Sequence, residues 1–178
     1  AADGTATLER KSREKVREAV QTRPPFTPPT PDPDAWPEVR THLIHERGLD
    51  PELIDKAHDA GDIYAQTRAG PHGGTLTNAI FLQRDAQGTP TGAEIKGLLR
   101  QRDGSRFSGL AAGSRKDKGM FRVGADLAKA TAVIVAEAAI DAVSALIAAR
   151  AAGRDKGGVC AVSTAGEMKK GENLPEPM

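Results

Sequence analysis

Residues 130–164 constrain the fold most. Ala132-Val133-Ile134-Val135-Ala136 is an unbroken apolar, β-branched run bounded by charge, the pattern of a buried strand in a parallel sheet. Residues 139–152 are alanine-rich and helical, and Gly153 stops them. Residues 159–162 read as a second buried strand. Strand, helix and strand over about 30 residues make a βαβ unit with a right-handed crossover. Only 3% of the chain is aromatic, and much of its apolar content is alanine. A small core is therefore expected, best packed where Val, Ile and Leu cluster, over 131–149.

The upstream part has another character. Residues 6–21 carry strong helix formers with opposite charges at i,i+4 spacing and only a thin apolar stripe, which predicts a solvent-exposed helix. Residues 23–37 hold seven prolines, which predicts a stiff extended linker without helix or central strand. Residues 38–60 read as two short helices. Val39, Leu43 and Ile44 form the buried side of the first, and Gly48 ends it. Asp50 caps the second, Pro51 fits its first turn, and Leu53, Ile54 and Ala57 face inward. Residues 62–124 alternate as a small antiparallel sheet, with strands at 62–66, 75–83 and 92–99 and a last short one at 120–123. A glycine-rich basic stretch, 109–119, precedes that last strand. Residues 167–178 are polar and read as a disordered tail. The expected organisation is α/β: a charged helix (1–22), a linker (23–37), a small α+β domain with antiparallel strands (38–126) and a parallel βαβ unit (127–178).

Net charge is +1, which by itself predicts no partner. Its distribution says more. Residues 96–122 hold eight Lys or Arg against two Asp, about +6 locally. Arg100, Arg102, Arg106, Arg115, Lys116, Lys118 and Arg122 are candidates to follow a phosphate backbone, with Ser114 and the glycines allowing close approach. The other reading is a solvated loop with ordinary surface charge. Only Phe107 and Phe121 lie near, so base stacking is not expected, and binding should be salt-sensitive and weakly sequence-specific. Cys160 is the single cysteine and reads as a small buried hydrophobe. No apolar run approaches the ~20 residues of a membrane span. A reducing cytoplasm fits these features. His42, His45, His58 and His72 lack the spacing of a zinc site, and 70–74 lacks the Lys-Ser/Thr of a phosphate-binding loop.

Chemistry concentrates at Glu137. It follows an apolar strand at the entry to a helix, where open parallel sheets bind ligands. A carboxylate there exchanges a proton or helps hold Mg²⁺. Spacing alone leaves a second reading open, in which Glu137 and Asp141 only favour the helix N-terminus electrostatically.

The segment from Val133 to Leu146, with Glu137 after the strand and Ile140-Asp141-Ala142 opening the helix, resembles the Toprim domain of bacterial primases, topoisomerases and related nucleases. Ala161-Val162-Ser163-Thr164-Ala165-Gly166 resembles the turn after that family's second strand. Upstream, Leu43-Ile44-His45-Glu46-Arg47-Gly48-Leu49-Asp50-Pro51-Glu52, Asn78-Ala79-Ile80-Phe81, Arg84-Asp85-Ala86-Gln87-Gly88 and residues 109–121 are similar to a small domain preceding Toprim in plasmid and conjugative-element proteins, primase-like or accompanying mobilisation relaxases. The resemblance covers about residues 38–166.

The resemblance implies Mg²⁺-dependent phosphoryl transfer on DNA. Glu137 would be the acid/base or metal-assisting residue, and Asp141 would support the turn or the metal's surroundings. DNA held through its backbone, and relaxosome or replication proteins, are the implied partners. Two departures matter. Ala138 stands where the family usually has glycine, and the Asp-x-Asp that holds Mg²⁺ does not follow. Asp32-Pro33-Asp34 has those letters but lies in the linker. A single carboxylate holds Mg²⁺ weakly, so this chain alone is expected to be inactive. The absence of an initial methionine fits a fragment of a longer protein or a processed chain. The alternative is a non-catalytic module that docks DNA or a protein partner.

Overall fold

Proline governs the start of the folded part. A computed structural model describes residues 25–70, 73–155 and 158–166. The helix expected at 6–21 and the tail from Glu167 lie outside these residues. Pro33–Ala35 form one 3-10 turn, and helix α1 spans Trp36–Thr41. The linker expectation therefore fails for 33–37. Pro33 and Pro37 occupy first-turn positions, where a missing donor costs no helical hydrogen bond. A π-helical turn, His42–Glu46, continues α1, and Gly48 closes it at φ +67°. The Asp50 carboxylate accepts from Leu53 N at 3.0 Å and caps helix α2, Pro51–Asp59. Leu53, Ile54 and Ala57 are buried, as their spacing requires.

Four strands follow: β1 (Ile63–Ala69), β2 (Thr75–Arg84), β3 (Pro90–Arg100) and β4 (Arg106–Leu110). They form one antiparallel sheet in the order β1-β2-β3-β4. The linker is stitched to its edge. Asp32 N donates to Ala65 O at 2.8 Å, and Thr67 Oγ1 donates to the Asp32 carboxylate at 2.5 Å. Asp32 is thus a structural anchor. Strand β4 is an addition to the sequence reading, because Arg-Phe-Ser-Gly-Leu has little β-branched character.

The second sheet holds β5 (Phe121–Gly124), β6 (Ala132–Ala136) and β7 (Val159–Ser163), in the order β5-β7-β6. Helix α3, Ala139–Ala151, crosses between β6 and β7, which pair in parallel. Two expectations are corrected here. The strand expected at 120–123 belongs to this sheet, pairing antiparallel with β7, and its backbone meets β2 through an isolated bridge between Arg84 and Met120. Strand β6 is parallel but not buried. It stands at the sheet edge, with Val133 and Val135 47% and 48% exposed. Those two side chains share a face with Cys160 and Val162, and α3 covers the opposite one.

The described residues form a mixed α/β structure of three α-helices, an antiparallel four-stranded sheet and a mixed three-stranded sheet. One apolar cluster runs through both sheets, joining Val39, Leu43 and Ile54 of the helical opening to Phe81, Phe121, Val143 and Leu146. The Phe81 and Phe121 rings meet edge to face at 5.5 Å across the two sheets. The core therefore does not centre on 131–149, and it crosses the boundary expected at residue 126 without a break. Among the described residues no helix is long and apolar enough to cross a membrane.

Candidate functional site

The parallel strands β6 and β7 end side by side, and their carboxyl ends open toward the start of α3. Glu137 follows β6 directly. Its backbone is held by the turn after β7: Thr164 N donates to Ala136 O at 2.9 Å, and Gly166 N donates to Glu137 O at 2.7 Å. Ala165 takes φ +57° and Gly166 φ +124° to make that turn. The Glu137 side chain is exposed, and so is Asp141 in the first turn of α3. Glu137 thus stands at the end of β6 and Asp141 in the first helical turn, the positions expected from the sequence.

Helix α3 begins without a side-chain cap of its own, because Ala138 occupies the cap position in extended conformation. The missing acceptor comes from the other sheet. Glu94 of β3, 3% exposed, reaches across and accepts from Ala139 N at 3.1 Å. Its other oxygen accepts from the Ser163 hydroxyl at the end of β7. Lys96 Nζ lies 3.7 Å away and donates to Ser108 Oγ at 2.7 Å. Burial pushes the Glu94 carboxyl up; the Ser163 and Ala139 bonds and Lys96 oppose that, and Asp141 adds to it. Sequence reasoning missed Glu94, which alternates with Ala93 and Ile95 and so reads as a solvent-facing residue. Both faces of β3 are covered around Glu94, and its amide partner on α3 lies 45 residues away.

Glu94 fills the anion position at the α3 N-terminus with an internal carboxylate. Among the described residues no group of three His, Cys, Asp or Glu comes together to hold a metal ion. Mg²⁺ demands near-octahedral oxygen coordination, which Glu137 and Asp141 alone do not supply. The described residues therefore do not form a Mg²⁺ site by themselves. They present two exposed carboxylates, Glu137 directly after β6 and Asp141 in the first turn of α3.

The basic residues divide into two groups. Arg100, Arg102 and Arg106 stand at the β3–β4 hairpin. Ser114, Arg115, Lys116 and Lys118 follow β4 in a loop that folds back to the start of β3, where Arg115 N donates to Thr91 O at 2.8 Å. Nine residues of strand separate Thr91 from Arg100, about 30 Å at ~3.3 Å per residue. Several of these side chains hold the fold together. Arg106 bonds Leu98 O at 2.8 Å and pairs with Glu46 at 2.5 Å. Arg122 donates to the Arg84 and Asp85 carbonyls. Arg115 pairs with Asp117 at 3.2 Å. Ser114 Oγ accepts from Ala93 N at 3.1 Å. Arg100, Arg102 and Lys118 are exposed.

The sequence model of one protein family, described as "Protein of unknown function (DUF3991)", matches residues 41–129, which is 89 of 178 residues. The match runs from the end of α1 through β5. No curated protein and no solved structure matches the chain.

Proposed function

We propose that this chain, which belongs to the DUF3991 family, is the DNA-docking part of a Toprim-type protein of a plasmid or conjugative element, primase-like or relaxase-associated. The observation that carries the proposal is Glu137, exposed at the carboxyl end of a parallel strand and followed at once by a helix. In this reading the basic groups at the two ends of the antiparallel sheet contact phosphates, and the complete protein works in the cytoplasm beside relaxosome or replication proteins. Mg²⁺-dependent phosphoryl transfer belongs to the complete protein, where further carboxylates join Glu137 and Asp141 supports the site. The chain's own share is to bind DNA and to hold Glu137 in place. Its engagement of Glu94 at the α3 N-terminus supports docking over chemistry for this segment.

The test separates the two shares. In the complete protein, Glu137→Ala should abolish Mg²⁺-dependent synthesis or nicking while DNA affinity stays within about twofold. In the 178-residue chain, joint reversal of Arg115, Lys116 and Lys118 to Glu should weaken DNA binding and flatten its salt dependence. Unchanged activity in the first assay would make Glu137 structural. Unchanged affinity in the second would remove the loop from the interface.

A further inference from the structure

Phe121 is consumed by the core, but Phe107 is not. Phe107 is 41% exposed on edge strand β4. Its ring lies over Gly109, where a Cβ would come within 3.1 Å of Cζ. Its own Cβ approaches Gly97 of β3, where an added Cβ would sit 3.1 Å away. The two glycines thus make a flat seat on which the ring lies. Arg68, on the opposite edge strand, reaches over the sheet and sets its guanidinium carbon 5.4 Å from the ring centroid.

Charge at this end of the sheet is mainly positive. Arg68 and Arg102 are exposed, against Asp103, whose carboxylate accepts from Ser105, while Arg100 pairs across the strands with Arg106 on the other face. Arg106 and Glu46 cancel each other. Leu99, 64% exposed, adds apolar surface beside the arginines. An accessible aromatic ring seated on a sheet, capped by a guanidinium and flanked by cations, is the combination that single-stranded nucleic acid uses. Bases stack on the ring or on a guanidinium plane, and phosphates meet the cations.

We infer that Phe107 and Arg68, with Arg102 at the adjoining hairpin turn, form a stacking platform for single-stranded DNA. The inference deepens the DNA-docking reading and rests on it, and it reverses the sequence expectation that base stacking plays no part. A base takes the place of Arg68 over the ring, and the displaced guanidinium meets the phosphate.

The experiment is fluorescence anisotropy of the 178-residue chain with a labelled oligo-dT and with a duplex of equal length. Phe107→Leu keeps the glycines covered and removes the π face. It should weaken oligo-dT binding about 5- to 150-fold, the range for one lost stack, and weaken duplex binding far less. Phe107→Trp should bind oligo-dT at least as well as the native chain, with quenching of the new indole on addition of DNA. Arg68→Ala should lower affinity and reduce the salt slope by about 1. Native-like circular dichroism of Phe107→Leu shows that the fold survives. Native oligo-dT affinity of Phe107→Leu, with DNA binding otherwise present, overturns the platform and leaves the docking reading standing. A native chain that binds neither oligonucleotide overturns both.

Discussion

Glu94 shows how much one side chain can join. It belongs to the antiparallel sheet, yet its two oxygens serve the first amide of α3 and the hydroxyl that ends β7. Removing it as Glu94→Ala leaves those donors buried without an acceptor, at about 1–3 kcal/mol of stability. Urea titration should show that loss. Its titration has a defined sign. Burial raises the folded carboxyl above its ordinary 4.5, so the folded protein keeps a proton that the unfolded chain has lost. Stability therefore falls as pH rises from 4.5 to the raised value, and is flat in this respect below 4.5. Glu94→Gln removes the slope. The variant should gain stability relative to the native protein as pH rises through that window, and a difference constant with pH would show that Glu94 does not titrate there. Cys160 makes a simpler case. It is fully buried on β7, and burial pushes its thiol up. A disulfide reagent such as DTNB should modify it only at the rate of unfolding, not within minutes in native buffer.

Among the elements, β5 has the most consequential position. Four residues long, it carries the chain out of the first sheet and into the second. Gly124 ends it at φ +100°, where an added Cβ would stand 2.4 Å from the Val159 carbonyl oxygen. Backbone strain and overlap act together there, so Gly124→Ala should cost at least about 2 kcal/mol, read from the urea midpoint. The helical opening is legible in the sequence alone. Asp50, Pro51 and the Leu53, Ile54, Ala57 spacing state a capped amphipathic helix in purely local terms. Strands β4 and β6 are not legible in the same way. The weak residues of β4 gain their pairing from β3, and the apolar run of β6 reads as buried although its position in the sheet leaves one face open.

At the scale of the whole molecule, the two sheets share one core. Trp36, the single tryptophan, stacks on His58 at 3.7 Å at one end of it. Leu146 of α3 is fully buried at the other. Leu146→Ala should therefore cost about 2–5 kcal/mol and shift Trp36 fluorescence and far-UV circular dichroism together. Separate transitions for the two probes would show that the sheets unfold as independent units.

Local chemistry by itself determined the capped helix α2, most strand positions, the strand–helix–strand order and the place of Glu137 after β6, because each depends on near neighbours in the chain. Only the tertiary structure decided which sheet β5 joins, that β6 lies at an edge, that Arg106 and Arg122 serve the fold, and that Glu94 caps α3. The physical reason is common to all four. Each depends on a partner from 36 to 60 residues away or on what covers a face, and no periodicity in the sequence encodes either.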